Sequence, residues 1–359
     1  MKNYSFLISG SGSFIPEKKV PNFLFNNSIF YNKTSEPIHS ANDLVISKFA
    51  KITGIRERRW IESGHVTSDL GFFAALKALK KNGRNKEDID LIICAQNFGD
   101  IQEGTNRGDL IPSVASRIKA KLGIVNPYCI AYDINFGCPA WILGLIQAKN
   151  WLDSENGKLA LVIGVETLSR VSDPYDRDSM IFSDGAGAVI LERVEGKSGV
   201  GILANLTRTD SFEHNLLLKM GPSYNPAHDQ HNLYVKMDGP KLYEYALEHV
   251  PTAIYQTIQK AGLTLSDIKM LLIHQANTKM LEAITTRLFK LDGQETYPDG
   301  FLPLIISWLG NNAVASVPTL YDLINRGKLE GYEFIPGDTI VFAAVGSGMS
   351  ISAMVYKVP

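Results

Sequence analysis

The sequence predicts a layered α/β protein in which helices cover both faces of central sheets. Two patterns support this prediction. Short runs rich in Ile and Val are apolar on both faces, as expected for strands buried between helices. These runs alternate along the chain with longer segments of amphipathic, helical spacing. With 359 residues, of which 45% are hydrophobic, the chain can bury one large core or two fused halves.

The predicted strands and helices form two similar series. The strands are DLIICAQ (90–96), CIAYDI (129–134), KLALVIGVE (158–166), AGAVILE (186–192), IKMLLIH (268–274) and TIVFAAVG (339–346). Helical spacing is clearest at 68–81, 112–122, 240–261 and 313–326. The least regular stretch, roughly 208–236, lies between the two series, and no low-complexity linker divides the chain. We therefore expect two similar halves, 1–200 and 201–359, packed as one body.

The charge balance excludes several classes of partner. Lysine and arginine number 36, aspartate and glutamate number 37, and the net charge is −1. No overall field therefore attracts nucleic acid or an anionic membrane. No apolar run reaches the ~18 residues that a membrane-spanning helix needs, and the apolar stretch near the start is too short for a signal peptide. We expect a cytoplasmic protein.

The three cysteines do not form a disulfide framework or a zinc site. None belongs to a CxxC pair, and too few histidines lie near them. We therefore expect no metal and no resident cofactor. Cys94 and Cys129 lie within apolar strands and are interpreted as small buried hydrophobes. Cys138 has a different setting.

Two glycine-rich segments are interpreted as structural. Gly10 and Gly12 follow an apolar run, but the third glycine of a dinucleotide-binding loop is missing and Pro16 stands where its helix would run. The segment DGAGA (184–188) leads directly into a strand. Its glycines are expected to let backbones approach closely between elements.

Cys138 is predicted at the N-terminus of a buried helix. It follows a predicted strand and an NFG turn, and it precedes Pro139, a residue suited to the first helical position. The next segment, AWILGLIQA, is apolar nearly all round, which is typical of a helix inside a domain. Unpaired N–H groups at such a helix start favour a thiolate over a thiol. A nucleophile and an inert buried cysteine both fit this local pattern.

Two further polar residues stand at entrances to helices. His274 closes an apolar strand, at the edge of an α/β sheet where ligands bind, and Asn277 behind it is a natural helix cap. Asn311 and Asn312 precede a predicted helix, and on its own either asparagine is interpreted as a cap. Together with Cys138, however, the imidazole and the carboxamide give a nucleophile with two hydrogen-bond donors. This combination favours a catalytic site.

Seven motifs, in the right order, resemble those of ketoacyl-acyl carrier protein synthase III, a family of thiolase-fold condensing enzymes. They are TGIRERR (53–59), the segment around Cys138, DPYDRDSM (173–180), DGAGAVIL (184–191), MDGPKLYEYA (237–246), HQAN (274–277) and GNNAVASVP (310–318). The resemblance covers nearly the whole chain. It implies two halves with a five-stranded sheet each, stacked in five α-β-α-β-α layers, in a protein that normally pairs as a homodimer.

The family's Cys-His-Asn triad corresponds to Cys138, His274 and Asn311. By this resemblance, Cys138 takes an acyl group from a thioester, and backbone N–H groups of Cys138 and of Ser347, in VGSGMS, stabilise the oxyanion. His274 and Asn311 then hold a second thioester while it forms an enolate, usually from a malonyl unit. The enolate attacks the acyl carbon. The resemblance thus implies an acyltransferase of fatty acid or polyketide-type biosynthesis.

Residue types distinguish the related branches. Thiolases use a second cysteine near the C-terminus, but all three cysteines here lie before residue 139. Elongating ketoacyl synthases use two histidines, where this chain has His274 and Asn311. The resemblance therefore implies a priming-type enzyme or a type III polyketide synthase.

Two positions bear on the acyl donor. Priming enzymes hold the coenzyme A adenine between a Trp and an Arg, and this chain has Lys48 and Ile52 at the corresponding positions. The phosphopantetheine arm of an acyl carrier protein is therefore favoured over coenzyme A. Carrier proteins are acidic, so the basic side chains of Lys279, Arg287 and Lys290 are candidates for docking. A solvated helix face is the alternative interpretation of these charges.

The setting of the nucleophile leaves two further hypotheses open. FGCPAW and the nearby NFGDIQEG (97–104) are similar to specialised bacterial ketosynthases that make dialkylresorcinol or stilbene precursors. Those enzymes join a β-ketoacyl and an α,β-unsaturated thioester and close a cyclohexanedione ring. An insert, SYNPAHDQHNLY (223–234), is another departure from the priming enzymes. A hypothesis from a different class is a non-catalytic partner subunit that only shapes another synthase's tunnel, and the intact triad argues against it.

Overall fold

The computed structural model describes residues 4–154 and 156–359. Its strands are β1 Tyr4–Phe14, β2 Lys18–Pro21, β3 Glu57–Trp60, β4 Leu91–Ala95, β5 Asp100–Ile101, β6 Gly108–Asp109, β7 Ile130–Ile134, β8 Leu159–Thr167, β9 Asp184–Glu195, β10 Gly201–Thr209, β11 Leu218–Gly221, β12 Tyr234–Met237, β13 Met270–Ile273, β14 Thr339–Gly346 and β15 Ser350–Lys357. Its α-helices are α1 Asn42–Thr53, α2 Thr67–Asn82, α3 Val114–Leu122, α4 Ala140–Asp153, α5 Ser211–His214, α6 Gly239–Lys260, α7 Thr278–Leu291, α8 Ile306–Leu309 and α9 Ser316–Asn325.

Two sheets of similar topology form the framework. The first has the order β1-β9-β8-β4-β7 and the second the order β10-β15-β14-β13. In each, an antiparallel hairpin, β8–β9 or β14–β15, continues into parallel pairing with β4 or β13. The first sheet uses residues 4–195 and the second residues 201–357. The division into halves at residue 200 stays a prediction.

The layers alternate as α-β-α-β-α. Helices α2 and α3 cover the outer face of the first sheet, α6 and α7 the outer face of the second, and α4 and α9 lie between the two sheets. A continuous apolar core joins α4 and α9 to both sheets. Helix α4 is buried because it is apolar nearly all round, as its sequence predicts. None of the helices in the described ranges has the length and apolar character that a membrane span requires.

The expectation of a five-stranded sheet in each half is wrong for the second sheet, which has four strands in the described ranges. The segment 301–305 lies beside β13, where Phe301 O accepts a hydrogen bond from Leu271 N at 2.8 Å. Pro303 has no N–H to continue such a ladder. The Gln275 side chain binds this segment in place of a strand ladder. Its oxygen accepts a hydrogen bond from Ile305 N at 3.0 Å, and its nitrogen donates to Pro303 O at 3.4 Å.

The predicted strands and helices are confirmed within a few residues, except that 313–315 is a 3₁₀ turn leading into α9. Strand β1 was not predicted, since serines and glycines interrupt its apolar pattern. Gly10 and Gly12 lie inside it and not in a phosphate-binding loop. A Cβ added to Gly10 would lie 2.5 Å from Ala78 O, and one on Gly12 2.4 Å from Ala74 O. These glycines therefore let α2 pack directly on β1.

Candidate active site

The sequence-predicted site residues line one cavity of about 840 Å³. The cavity lies where the carboxyl ends of β4, β7, β13 and β14 face each other, so both sheets contribute to it. Cys138, His274, Asn311 and Ser347 all belong to its lining. The structure thus brings together residues that lie up to 209 positions apart in the 359-residue chain.

Cys138 lies in the turn between β7 and α4, as predicted. Gly137 has a φ of +65°, a value that glycine adopts without strain. Ala140 N donates to Gly137 O at 3.0 Å, and Leu143 N donates to Pro139 O at 3.0 Å, which starts the helix. The thiol is therefore held at the N-terminus of a helix that lies between the two sheets.

The expectation that this helix end would keep Cys138 as a thiolate is wrong for the resting site. Burial raises the pKa of the Cys138 thiol to about 12, and the carboxyl of Glu166 acts in the same direction. Part of the side chain faces the cavity, but protein encloses the sulfur on its other sides. Burial outweighs the helix end because an ion loses more by leaving water than it gains from half a charge nearby.

His274 directly follows β13 and is buried. Its backbone N donates to Ala343 O at 2.9 Å, and its ring Nδ1 lies 2.8 Å from Ser316 Oγ at the start of α9. Burial lowers the pKa of the imidazole to about 4, although the Ala313 carbonyl acts in the opposite direction. His274 is therefore neutral at physiological pH, and Ser316 fixes its ring.

Asn311 is fixed by its backbone and by its side chain. Asn311 N donates to Ile181 O at 2.9 Å, and Ser183 N donates to Asn311 O at 2.8 Å. The side-chain Oδ1 accepts a hydrogen bond from Ala313 N at 2.9 Å. The N-cap position of the 3₁₀ turn 313–315 is Asn312, so Asn311 binds the first N–H of this turn from one residue before the cap. Because the oxygen is used, the amide NH₂ is the group left for the cavity.

Ser347 follows β14 in a loop that touches the nucleophile's turn. A Cβ added to Gly346 would lie only 2.5 Å from Cys138 N, and one on Gly137 would lie 2.8 Å from Ser347 N. Glycine at both positions therefore permits the two loops to pack backbone against backbone. This contact brings the N–H groups of Cys138 and Ser347 to the same region.

The part of the cavity next to Cys138 is apolar. Cys138 packs against a buried cluster that contains Leu168, Phe182 and Val235. Strands β11 and β12 pair into a ribbon that forms one wall. On the outer face of this ribbon, buried Lys236 pairs with Asp173 at 2.5 Å and with Asp176 at 3.2 Å. These ion pairs fix the wall, and the 223–234 insert connects its two strands.

Of the residues that bear on the acyl donor, Lys48 and Ile52 line the cavity and the three docking candidates do not. Helix α1, which was not predicted, places Lys48 and Ile52 at the rim, and both are exposed. The docking candidates Lys279, Arg287 and Lys290 are all exposed on α7. Arg287 donates to Leu247 O at 3.1 Å, and Lys290 pairs with Glu295 at 3.4 Å.

Sequence reasoning missed the pair Asn97 and Glu166. Asn97 lines the cavity after β4, and Glu166 is buried on β8 behind it. Burial raises the pKa of Glu166 to about 8. The signal was a glutamate that directly follows the apolar run LALVIGV, because a charged residue is unusual in a buried central strand. In the described ranges, no group of three or more His, Cys, Asp or Glu side chains could hold a metal ion.

Comparisons with known proteins agree with this fold. The family model of 3-oxoacyl-[acyl-carrier-protein] synthase III matches residues 132–211, and the model of its C-terminal part matches 258–358. The chain is 33% identical to the β-ketoacyl-[acyl-carrier-protein] synthase III of Caldanaerobacter subterraneus subsp. tengcongensis, over 98% of this chain and 97% of that protein.

Solved structures show the same architecture. The 3-oxoacyl-[acyl-carrier-protein] synthase III of Aquifex aeolicus superposes with a TM-score of 0.79 at 26% identity, covering 98% of this chain and 99% of that one. For the Pseudomonas aeruginosa enzyme the TM-score is 0.80 at 25% identity, with 99% and 98% covered. The chain therefore belongs to the 3-oxoacyl-[acyl-carrier-protein] synthase III family of thiolase-fold enzymes, as a carbon–carbon bond-forming acyltransferase.

Proposed function

We propose that Cys138 carries the acyl group and that His274 and Asn311 stabilise the enolate of a second thioester. The main support is that all three side chains line one cavity, to which both sheets contribute. Their chemistry is complementary. Cys138 supplies a nucleophile. His274 and Asn311 supply hydrogen-bond donors for a carbonyl oxygen, and the His274 imidazole can also accept a proton.

Acylation begins with a neutral thiol, since burial raises the pKa of Cys138 to about 12. The neutral imidazole of His274 can accept the thiol proton when the substrate carbonyl is in place, and the departing carrier thiolate then takes it. The Cys138 sulfur bonds to the acyl carbon as the carrier's sulfur leaves. The start of α4 stabilises the negative charge while it develops.

The oxyanion of the acyl carbon needs two donors. We assign them to the backbone N–H groups of Cys138 and Ser347. The close contact of their loops at Gly346 supports this assignment, because it brings two rigid donors to one place. Donors of this kind need no reorganisation during the reaction.

Condensation follows with a malonyl or β-ketoacyl thioester. A malonyl unit loses CO₂, whereas a β-ketoacyl unit loses a proton. Either loss leaves an electron pair on the carbon next to the thioester carbonyl, and delocalisation onto the carbonyl oxygen gives an enolate. We assign the hold on this oxygen to His274 Nε2 and the Asn311 amide NH₂. In support, Ser316 engages the other ring nitrogen, Nδ1, and Ala313 N engages the amide oxygen, Oδ1. The enolate carbon bonds to the acyl carbon as the bond from that carbon to the Cys138 sulfur breaks. The leaving Cys138 thiolate takes a proton to become the thiol again. With a malonyl unit that proton comes from water, and with a β-ketoacyl unit it is the proton that His274 Nε2 accepted when the enolate formed.

The carrier of both acyl groups is proposed to be the phosphopantetheine arm of an acyl carrier protein. Three exposed basic side chains, Lys48, Arg177 and Lys219, line the cavity near its rim and suit a phosphate. Lys279 lies at the start of α7, two residues after the cavity-lining Asn277, and extends this charge toward an acidic partner. Coenzyme A is the alternative donor. The relatives' names support the carrier protein.

The protein is also proposed to form a homodimer along β7. This strand is at the end of the first sheet, so in the described ranges its outer edge pairs with no other strand. Exposed apolar side chains surround the edge, with Ile130 49% and Ile111 87% exposed. A second copy that pairs with this edge would cover them and satisfy its free backbone groups.

Mass spectrometry tests the nucleophile. The purified protein is incubated with acyl carrier thioesters, and the acylated peptide is identified. We expect one acyl group on the Cys138 peptide, none in Cys138→Ala, and a normal adduct in Cys129→Ala, a matched change at a buried cysteine far from the cavity. An unmodified wild type, or an adduct that persists in Cys138→Ala, would refute the assignment.

Product analysis separates the two branches of chemistry. Given a malonyl donor, the priming reaction yields a linear β-keto product. Given a β-ketoacyl and an enoyl carrier thioester, ring closure yields a cyclohexanedione. The relatives' names support the priming branch, so we expect the linear product.

A further inference from the structure

Asn97 links the nucleophile's turn to a buried carboxyl. Its Oδ1 accepts a hydrogen bond from Gly137 N at 3.1 Å, and its Nδ2 donates to Glu166 Oε1 at 2.5 Å. Asn135 Nδ2 also donates to the Asn97 backbone O at 3.3 Å. Gly137 immediately precedes Cys138, so one side chain connects the orientation of the nucleophile's peptide to Glu166.

Glu166 lies deep in the first sheet and is only 1% exposed. It does not line the cavity, and no cation pairs with it among the described residues. Burial raises the pKa of Glu166 to about 8, Asp184 acts in the same direction, and the hydrogen bonds from Asn97 act against both. The carboxyl therefore changes charge inside the pH range in which cysteines react.

The titratable groups that interact with Glu166 come from three neighbouring elements. Cys138 lies before α4, Asp184 is on β9 and Cys94 is on β4. Burial raises the pKa of Asp184 to about 6, so this carboxyl is already ionised above pH 7. Burial raises the pKa of Cys94 far above its usual value, so Cys94 stays a thiol. Between pH 7 and 10, Glu166 is the neighbour whose charge changes.

We propose that Asn97 and Glu166 are positioning residues for the nucleophile: Asn97 orients the Gly137 peptide, and the charge of Glu166 controls how readily Cys138 ionises. A neutral Glu166 carboxyl leaves burial as the main obstacle to a thiolate at Cys138. An ionised Glu166 places a second negative charge in the same dry region and opposes it. The inference rests on the proposed function, because Asn97 and Glu166 have a role in it only through the nucleophile Cys138.

The pH dependence of Cys138 alkylation tests this control without any condensation step. The rate of reaction with iodoacetamide is measured from pH 7 to 10, and the Cys138 peptide is quantified by mass spectrometry. A lone thiol well below its pKa reacts about tenfold faster for each pH unit. For the wild type we expect this rise to flatten near pH 8, where Glu166 ionises and raises the cost of the thiolate.

Glu166→Gln removes the charge and keeps a similar side chain. We expect the rate in this variant to rise steadily and to exceed the wild-type rate at pH 9.5 by up to about tenfold, which corresponds to one pKa unit. Glu195→Gln, the same change at the exposed end of β9, should follow the wild type. Asn97→Ala should lower kcat for acyl transfer about tenfold or more with a smaller change in KM, since its main effect is to release the Gly137 peptide that holds the nucleophile.

Two results would overturn the inference. One is a wild-type alkylation rate that rises tenfold per pH unit through pH 8 without flattening. This result does not depend on whether any variant folds. The other is a folded Glu166→Gln protein whose profile matches the wild type throughout. Failure of the proposed function is a separate result, because it would show as a missing acyl adduct on wild-type Cys138 while alkylation still proceeds.

Discussion

Substituting Gly346 by alanine would insert a methyl group between the two loops that carry Cys138 and Ser347. The new Cβ would lie 2.5 Å from Cys138 N and 2.8 Å from Pro139 Cδ. That is about 0.9 Å inside the 3.4 Å at which ordinary contact begins. Gly346 has a φ of −160°, an extended conformation that alanine adopts freely. The effect of the substitution is therefore one of contact, and the two loops must separate.

Separation of the loops moves one N–H group out of reach of the oxyanion. Loss of one such donor lowers kcat by about 10²–10³, or about 3–4 kcal/mol of transition-state stabilisation. The same clash should cost about 1–3 kcal/mol of folding stability, as overpacking does elsewhere. KM should change little, because Gly346 holds the nucleophile's turn and not the carrier arm.

The assay is rapid-quench acylation, read as acyl-Cys138 by mass spectrometry, with urea unfolding measured in parallel. Gly10→Ala is the matched control, because its Cβ would also lie 2.5 Å from a backbone atom, Ala78 O, but on the outer side of the first sheet. We expect both variants to lose stability and only Gly346→Ala to lose acylation rate. A folded Gly346→Ala protein that acylates within threefold of the wild type would refute the proposed oxyanion site.

Three further predictions follow from the structure. Burial lowers the pKa of His274 from 6.5 in the unfolded chain to about 4. The stability that the neutral imidazole contributes is therefore complete above pH 6.5 and is lost as the pH falls toward 4. In urea titrations between pH 7 and 4, the wild type should lose up to about 3 kcal/mol more unfolding free energy than His274→Gln. Lys236→Met leaves Asp173 and Asp176 buried without their cation and should cost about 3–5 kcal/mol, whereas Lys219→Met on an exposed site should change the unfolding free energy little. Ile130→Lys should convert a dimer to a monomer in light scattering, and an unchanged mass would count against pairing along β7.

The sequence alone determined the elements with strong periodicity. Central strands such as β8 and β14 are apolar on both faces because helices cover both sides. A short stretch of sequence is enough to show this pattern. The strand-to-helix junctions that hold Cys138 and His274 were visible for the same reason, since strand and helix periods change abruptly there. Strand β1 and helix α1 were not, because their patterns are weak and tertiary contacts complete them.

The tertiary structure decided which polar groups share a site and what their charges are. Asn97 and Glu166 are 69 positions apart in sequence, and only the pairing of neighbouring strands brings them to the nucleophile's turn. The ionisation of Cys138 was judged from the start of the helix that follows it in the chain, yet burial decides it. Periodicity is a local property of the chain. Burial and electrostatic contact depend on distant segments meeting, and this is why they emerge only in the folded molecule.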